Sequence, residues 1–279
     1  MSDSLESQLL ERGWVVTDLS DPSPVKQVRS RLLANLRNWF PDLSQIEQYH
    51  VAGDEEKHDE VVYEVAKNFW AGHFAKAIIE ANFELFRFLV GPDLHIQQYP
   101  YLRVVRPNHP QDAVPLHRDT YYGASPFELS VVIPLTDMGR ECALRAIPGS
   151  HVEPDSAYPF VQTVSEDVAL GSRRHRLGHA YAPRLLDPSL EARAEAIPVR
   201  VGQALIFGLS LVHGGGTNSS RQTRFSTDIR IVNSFAPVNF SRGVRTDYYV
   251  PFSSSPVSRV AKAFLACNER VRAMAKPDR

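Results

Sequence analysis

Only two cysteines occur in the chain, Cys142 and Cys267, and they form no Cys-x-x-Cys pair. Their scarcity excludes a disulfide scaffold and a thiolate zinc site, and it predicts a reducing compartment. No segment has the roughly 18 consecutive apolar residues that a membrane-spanning helix needs. Neither sign of charge is in excess: 31 Lys and Arg stand against 32 Asp and Glu, a formal net charge of −1. With no basic stripe interleaved with aromatics, nucleic acid is not an expected partner. Gly/Ser-rich linkers, low-complexity tracts and internal repeats are also missing. The opening MSDSLESQLLERG lacks the basic and apolar regions of a signal peptide, so a soluble, cytoplasmic protein is expected. What the chain does have is apolar residues, 43% of 279, enough for one large core.

Periodicity divides the chain into two textures. Residues 5–12 read as a short helix ended by Gly13, and WVVTDL after it as a strand. Pro24 opens a helix to about Trp39, with Val25, Val28, Leu32, Leu33 and Leu36 at near-helical spacing. The longest helical signal runs from Glu60 to Val90 and stops at Gly91-Pro92. Its aromatics, Phe69, Trp70, Phe74, Phe83, Phe86 and Phe88, fit core packing better than a cofactor box. Beyond Pro92 the runs LHIQQYPYLRVV, PFELSVVIPLTD, ALRAIP, AIPVRVGQALIFG and RFSTDIRIVNSF read as strands. Strands without long intervening helices predict a mainly β protein: an antiparallel barrel or jelly roll. Residues 1–90 form a helical extension that packs on it, residues 91–250 the core, and residues 251–279 a C-terminal helix. Residues 152–196 interrupt the strand pattern, and a long insertion at a barrel mouth suits a lid or recognition segment.

His117 and Asp119 in VPLHRDTYYG are one residue apart, and on a strand such a pair shares a face. His213 in LIFGLSLVHGGG follows another apolar run. Two histidines and a carboxylate brought together form the facial set that holds non-haem Fe(II) and leaves positions open. The competing reading of the pair is a structural Asp–His contact at a strand end. A kinase catalytic loop is excluded, because HRD is followed by Ala124 where an Asn belongs and no glycine-rich phosphate loop is present. Downstream, Arg224, Ser226, Asp228 and Arg230 alternate with Phe225, Thr227, Ile229 and Ile231. An interior face with two arginines needs an anion, an acidic partner or solvent. A co-substrate carboxylate meets that need, and so does Asp228 as a structural partner.

HRD at 117–119, IPGSH at 147–151, VHGGGTNSS at 212–220 and Arg224 together resemble the phytanoyl-CoA dioxygenase-like branch of the Fe(II)/2-oxoglutarate-dependent oxygenases. The resemblance covers roughly residues 90–235. It implies a double-stranded β-helix (cupin-like) core, iron on His117, Asp119 and His213, and Arg224 as anchor for the distal carboxylate of 2-oxoglutarate. It also implies O2 as oxidant, with succinate and carbon dioxide as co-products. A second contact to 2-oxoglutarate falls on Gln98, with Gln97 and Arg103 as alternatives and a cross-strand surface role as the competing reading. His151 belongs to the Pro-Gly turn and not to the metal. Arg118 points away from the ligands on either side of it. Related halogenases lack the carboxylate that Asp119 supplies, so halogenation is not expected; hydroxylation is the usual outcome in the branch resembled, with desaturation, epimerisation and ring closure open to the same oxidant.

For the substrate the resemblance implies a small, carbohydrate-derived specialised metabolite, as in bacterial relatives acting on aminoglycoside and oligosaccharide antibiotics. A coenzyme-A thioester, its phosphates on the basic 173–176 cluster, is the alternative. Tyr121 and Tyr122 would stand on one side of the mouth, with ordinary core or rim packing as their alternative. Arg173, Arg174 and Arg176 would stand on the other, with a solvated basic face as the competing reading. Two other functions remain open at this point: a metal-dependent isomerase or lyase on a cupin-like barrel, and an inactive metabolite-binding barrel.

Overall fold

The computed structural model describes residues 4–53, 55–161, 184–238 and 248–268. Helix α1 (Leu5–Arg12) ends at Gly13, whose left-handed φ of 90° lets its N–H reach the Leu9 carbonyl. Strand β1 (Trp14–Asp18) follows, then α2 (Ser23–Arg37), which buries Val25, Val28, Leu32 and Leu36. After the single-turn α3 (Tyr49–Ala52), the long helical stretch proves to be three helices: α4 (His58–Ala71), α5 (Phe74–Ala81) and α6 (Phe83–Val90). Two local features break it. His73 adopts a left-handed φ of 50° after Gly72. At the second break, the Asn82 amide donates to the Ile78 and Asp21 carbonyls, and its oxygen accepts from Asp21 N–H and the Ser20 hydroxyl. That side chain thus ties the helical break to the loop after β1.

The strands are β2 (Leu94–Gln97), β3 (Tyr101–Val105), β4 (Leu129–Pro134), β5 (Leu144–Ala146), β6 (Phe160–Val161), β7 (Arg184–Leu185), β8 (Glu195–Ile197), β9 (Gln203–Gly208), β10 (His213–Gly215), β11 (Arg224–Asn233) and β12 (Tyr249–Pro251). A final helix, α7 (Pro256–Cys267), starts at Ser255, whose hydroxyl accepts from Ser258 N–H. The large sheet runs β1-β9-β4-β11-β2-β12, with β3 also paired to β11. On one side of β11, Asp228 faces Tyr101 but Ile231 faces Ile96. β2 and β3 therefore act as one strand interrupted at Gln98-Tyr99-Pro100, where proline cannot donate to a ladder.

Period-2 alternation sets the layers. Leu129, Val131 and Ile133 of β4, Ala204 and Ile206 of β9, and Phe225, Ile229 and Ile231 of β11 pack on α2, α4, α5 and α6. The opposite face carries Trp14, Val132, Leu205 and Phe207, which meet Ala146 and Ile197 of the small sheet β10-β5-β8.

The expected closed jelly roll is not what the chain forms. The fold is mixed α/β, with helices holding more of the described residues than strands. Its large sheet, its three-stranded sheet and the β6-β7 pair stay separate, and none closes into a barrel. The physical reason lies in the ladders. β5, β8 and β10 are three residues long and, among the named strands, pair with one another alone, too few hydrogen bonds to carry a sheet round to the edges at β1 and β12. No helix among the described residues is long and apolar enough to cross a membrane.

Candidate metal centre

His117 is not on a regular strand. It and His213 face each other across an isolated antiparallel bridge, each donating its N–H to the other's carbonyl at 2.9 Å. Arg118 is extended (φ −110°, ψ 138°), and a 3-10 turn then begins at Asp119. One extended residue suffices to keep His117 and Asp119 on the same side. Such close approach depends on Gly214. A Cβ there would lie 2.8 Å from the Pro115 and Val114 carbonyl oxygens, which are backbone atoms and cannot turn aside.

Each imidazole is oriented by its own backbone. His117 Nδ1 lies 2.8 Å from the Pro115 carbonyl and His213 Nδ1 lies 3.0 Å from that of Leu211. With Nδ1 protonated for these bonds, both Nε2 lone pairs are left for a metal. Phe207 packs on the His213 ring, with centroids 4.4 Å apart. Asp119 completes the group: Oδ1 is 3.6 Å from His117 Nε2, Oδ2 is 3.7 Å from His213 Nε2, and one ligand atom from each of the three residues fits within 4.8 Å. All three side chains are buried. Burial, aided by His117, pushes the His213 imidazole down to about 4, so it is neutral and a competent donor. Burial would raise Asp119, but Arg230 and the two imidazoles outweigh it and hold the carboxyl well below its usual range. Two imidazoles and a carboxylate gathered in one buried group suit Fe(II).

The same cavity takes in His117, His213, Phe207, Val132, Leu144, Arg103, Arg224, Ser226, Asp228 and Arg230. Its two β11 arginines differ. Arg230 Nη1 donates to Asp119 Oδ2 at 2.8 Å, and its Nε lies 3.5 Å from Asp228 Oδ1. Arg224 is as deeply buried but, among the described residues, has no carboxylate at ion-pair distance. Its Nη1 donates to the Cys142 carbonyl at 2.8 Å and its Nε has no partner. Burial, aided by the charge of Arg103, pushes this guanidinium down to about 10. A Cβ on Gly215, two residues beyond His213, would be 3.8 Å from its Nη atoms. At about 3.3 Å per strand residue, the guanidinium stands some two residue-rises along the wall from the metal ligands.

Of the other described candidates, Arg103 alone lines the cavity. Gln98 is outside the cavity lining, its backbone N–H bonded to the Tyr248 carbonyl and its buried Oε1 without a partner. Gln97 Oε1 accepts from the Arg230 backbone N–H at 3.2 Å. Arg103 reaches the cavity 3.7 Å from Asp228. Tyr121 is buried, donates to the Tyr158 carbonyl at 2.8 Å and stacks on Phe160; Tyr122 follows in the same turn. Arg173, Arg174 and Arg176 lie outside the described residues. His151 is bonded to the Leu10 carbonyl, away from the metal ligands. Arg118 turns away from them too and is nearly fully buried. It grips Asp155 at 2.6 Å and the Ser150 and Glu153 carbonyls, at the root of the insertion. The contact that sequence reasoning missed is Arg230 on Asp119; the alternation along β11 placed Arg230 on the interior face, and only the fold put Asp119 in front of it.

The family model for phytanoyl-CoA dioxygenase matches residues 13–226. No curated protein sequence matches the chain. Among solved structures, a non-heme monooxygenase, ThoJ, is similar at 19% identity over 94% of this chain and 92% of its own, with a TM-score of 0.54. EvdO2 from Micromonospora carbonacea var. aurantiaca is similar at 17% identity over 87% and 96%, with a TM-score of 0.50. SnoK, a non-heme alpha ketoglutarate dependent carbocyclase from nogalamycin biosynthesis, is similar at 16% identity over 88% of each chain, with a TM-score of 0.50. At such identities these likenesses speak for the fold alone.

Proposed function

Because the chain belongs to the phytanoyl-CoA dioxygenase family and carries its three metal ligands in one buried group, making it an Fe(II)- and 2-oxoglutarate-dependent oxygenase, we propose that it hydroxylates or oxidatively cyclises a small, sugar-derived specialised metabolite, with Arg224 holding the co-substrate. The observation that carries the co-substrate assignment is the buried guanidinium of Arg224, which has no carboxylate at ion-pair distance among the described residues and lines the same cavity as His117 and His213. A dicarboxylate co-substrate held at the metal would bring its far carboxylate to that guanidinium, whose charge and donors would then recover the solvation lost on burial.

Iron(II) supplies the oxidising chemistry with O2 and 2-oxoglutarate, which leaves as succinate and carbon dioxide. The chain's part is placement. His117 and His213 present Nε2, Asp119 presents a carboxylate, and Val132, Leu144 and Phe207 give the cavity apolar walls that limit water around the reacting groups. Asp119 fills the place that halogenases leave to a halide, which supports oxygenation. The specialised-metabolite reading draws on SnoK, named as a carbocyclase of nogalamycin biosynthesis.

Aerobic incubation with Fe(II) and 2-oxoglutarate, followed by succinate release, tests this reading. The wild type is expected to release succinate slowly without a substrate and faster with a sugar-derived one, and His213→Ala to release none. Arg224→Ala is expected to raise the half-saturating 2-oxoglutarate concentration at least tenfold with metal content unchanged. An unchanged requirement would remove Arg224 from the co-substrate site.

A further inference from the structure

Beyond the anchor, the cavity wall holds an alternating row of charges that the co-substrate reading does not use. Arg103 lies 3.7 Å from Asp228, Asp228 Oδ1 lies 3.5 Å from Arg230 Nε, and Arg230 Nη1 lies 2.8 Å from Asp119 Oδ2. Three of its four members are fixed from outside the row. The Ser130 hydroxyl donates to Asp228 at 2.5 Å, Gln97 Oε1 holds the Arg230 backbone, and the Arg103 guanidinium sits 4.7 Å over the Tyr101 ring. Arg230 is only 6% exposed, so water competes weakly for its hydrogen bonds and the pairing with Asp119 is strong.

A carboxylate has two oxygens, and an unrestrained one can chelate a divalent cation with both. In a three-residue metal site that would occupy a fourth coordination position. The reaction needs three open positions, two for the 2-oxo acid and one for O2, so a chelating Asp119 would compete with the co-substrate. Arg230 occupies Oδ2 and leaves Oδ1, the oxygen nearer His117, for the metal.

We infer that Arg230 is a positioning residue that keeps Asp119 a one-oxygen ligand and so holds open the coordination position the 2-oxo acid needs, with Asp228 orienting Arg230. The inference rests on the metal reading above and makes a claim separate from it. Loss of Arg230 should spare metal binding, because the freed oxygen adds a metal contact, and should weaken any ligand that chelates the metal. A residue serving only as a counter-charge to Asp119 would show no such division.

The test uses Co(II) as the metal and oxalate as the probe, since oxalate chelates two positions but has no distal carboxylate to reach Arg224. Titration calorimetry measures Co(II) affinity of the metal-free protein and then oxalate affinity of the Co(II) protein. Visible absorption of the Co(II) protein reports coordination number in the same samples. For Arg230→Met the expected result is Co(II) affinity within about threefold of wild type and oxalate affinity at least tenfold weaker. The Co(II) absorption should be altered before oxalate is added. Arg230→Lys, which keeps one donor and the charge, should recover part of the oxalate affinity. If Arg230→Met does not fold, Asp228→Asn carries the test, with a smaller loss of oxalate affinity in the same direction. Unchanged oxalate affinity, or lost Co(II) affinity with unchanged oxalate binding per metal, overturns the inference and leaves the oxygenase reading standing. Failure of the wild type to bind Co(II) would overturn both.

Discussion

Gly214 has no room for a side chain because the two histidine segments touch through their backbones. A methyl group there would press on the carbonyls of Val114 and Pro115 at 2.8 Å, and relief requires separating His213 from His117. Gly214→Ala is therefore expected to weaken Co(II) binding at least tenfold in a calorimetric titration, although residue 214 ligates nothing. Gly216→Ala is the control: a Cβ at that position meets only the flexible Arg145 side chain, at 3.6 Å, so its metal affinity should stay within about twofold. At the same scale, Arg224 and Arg230 show that two arginines on one face of one strand serve different ends. Arg230 is compensated by Asp119 and Asp228, while Arg224, among the described residues, has a carbonyl and no carboxylate.

Among the elements, β11 does most to place the site. It pairs with β2, β3 and β4, which keeps its twist and position fixed from both sides. One face turns Arg224, Ser226, Asp228 and Arg230 to the cavity, and the other gives Phe225, Ile229 and Ile231 to the helical layer. Stability and chemistry are thus carried by alternate residues of one strand. Ile229→Ala, at a fully buried position, is expected to cost about 3 kcal/mol by the usual transfer and cavity contributions. Urea unfolding checks this, and Co(II) affinity should remain within about twofold, since the deleted atoms lie on the face away from the metal. A parallel loss of metal affinity would mean that the two faces are not independent.

For the molecule as a whole, a second buried charge pair tests how polar groups are accommodated in this interior. Asp112 accepts from Arg106 N–H and Nε through one oxygen and from Nη2 through the other, all at 2.8–2.9 Å. Burial would raise the Asp112 carboxyl, but the Arg106 hydrogen bonds and charge outweigh it and lower its pKa. A carboxylate depressed in the folded state stabilises fully above its unfolded value near 4, and the contribution fades as pH falls through the folded value. Asp112→Asn leaves Arg106 buried without its counter-charge and is expected to cost about 3 kcal/mol at pH 7. The gap from wild type should close progressively as urea unfolding is repeated below about pH 4. A gap independent of pH would assign the loss to packing.

Local sequence determined the residues and their faces. Gly13 ends a helix because a residue free to adopt positive φ closes the last turn, and alternation along 224–231 separates polar from apolar sides because strand side chains alternate. His117, Asp119 and His213 were legible as ligands from residue type and motif. The break of residues 60–90 into three helices was not, since Asn82 ends a helix through bonds to Ser20 and Asp21, far away in the chain. The open sheets were hidden for a related reason. Short apolar runs reveal that strands exist, but closure depends on which distant edges pair and over how many residues. Tertiary structure alone set His117 against His213, gave Arg230 to Asp119 and left Arg224 with no carboxylate at ion-pair distance among the described residues. Ion pairing is a property of positions in space, and no spacing along the chain encodes which of two equivalent arginines meets a carboxylate.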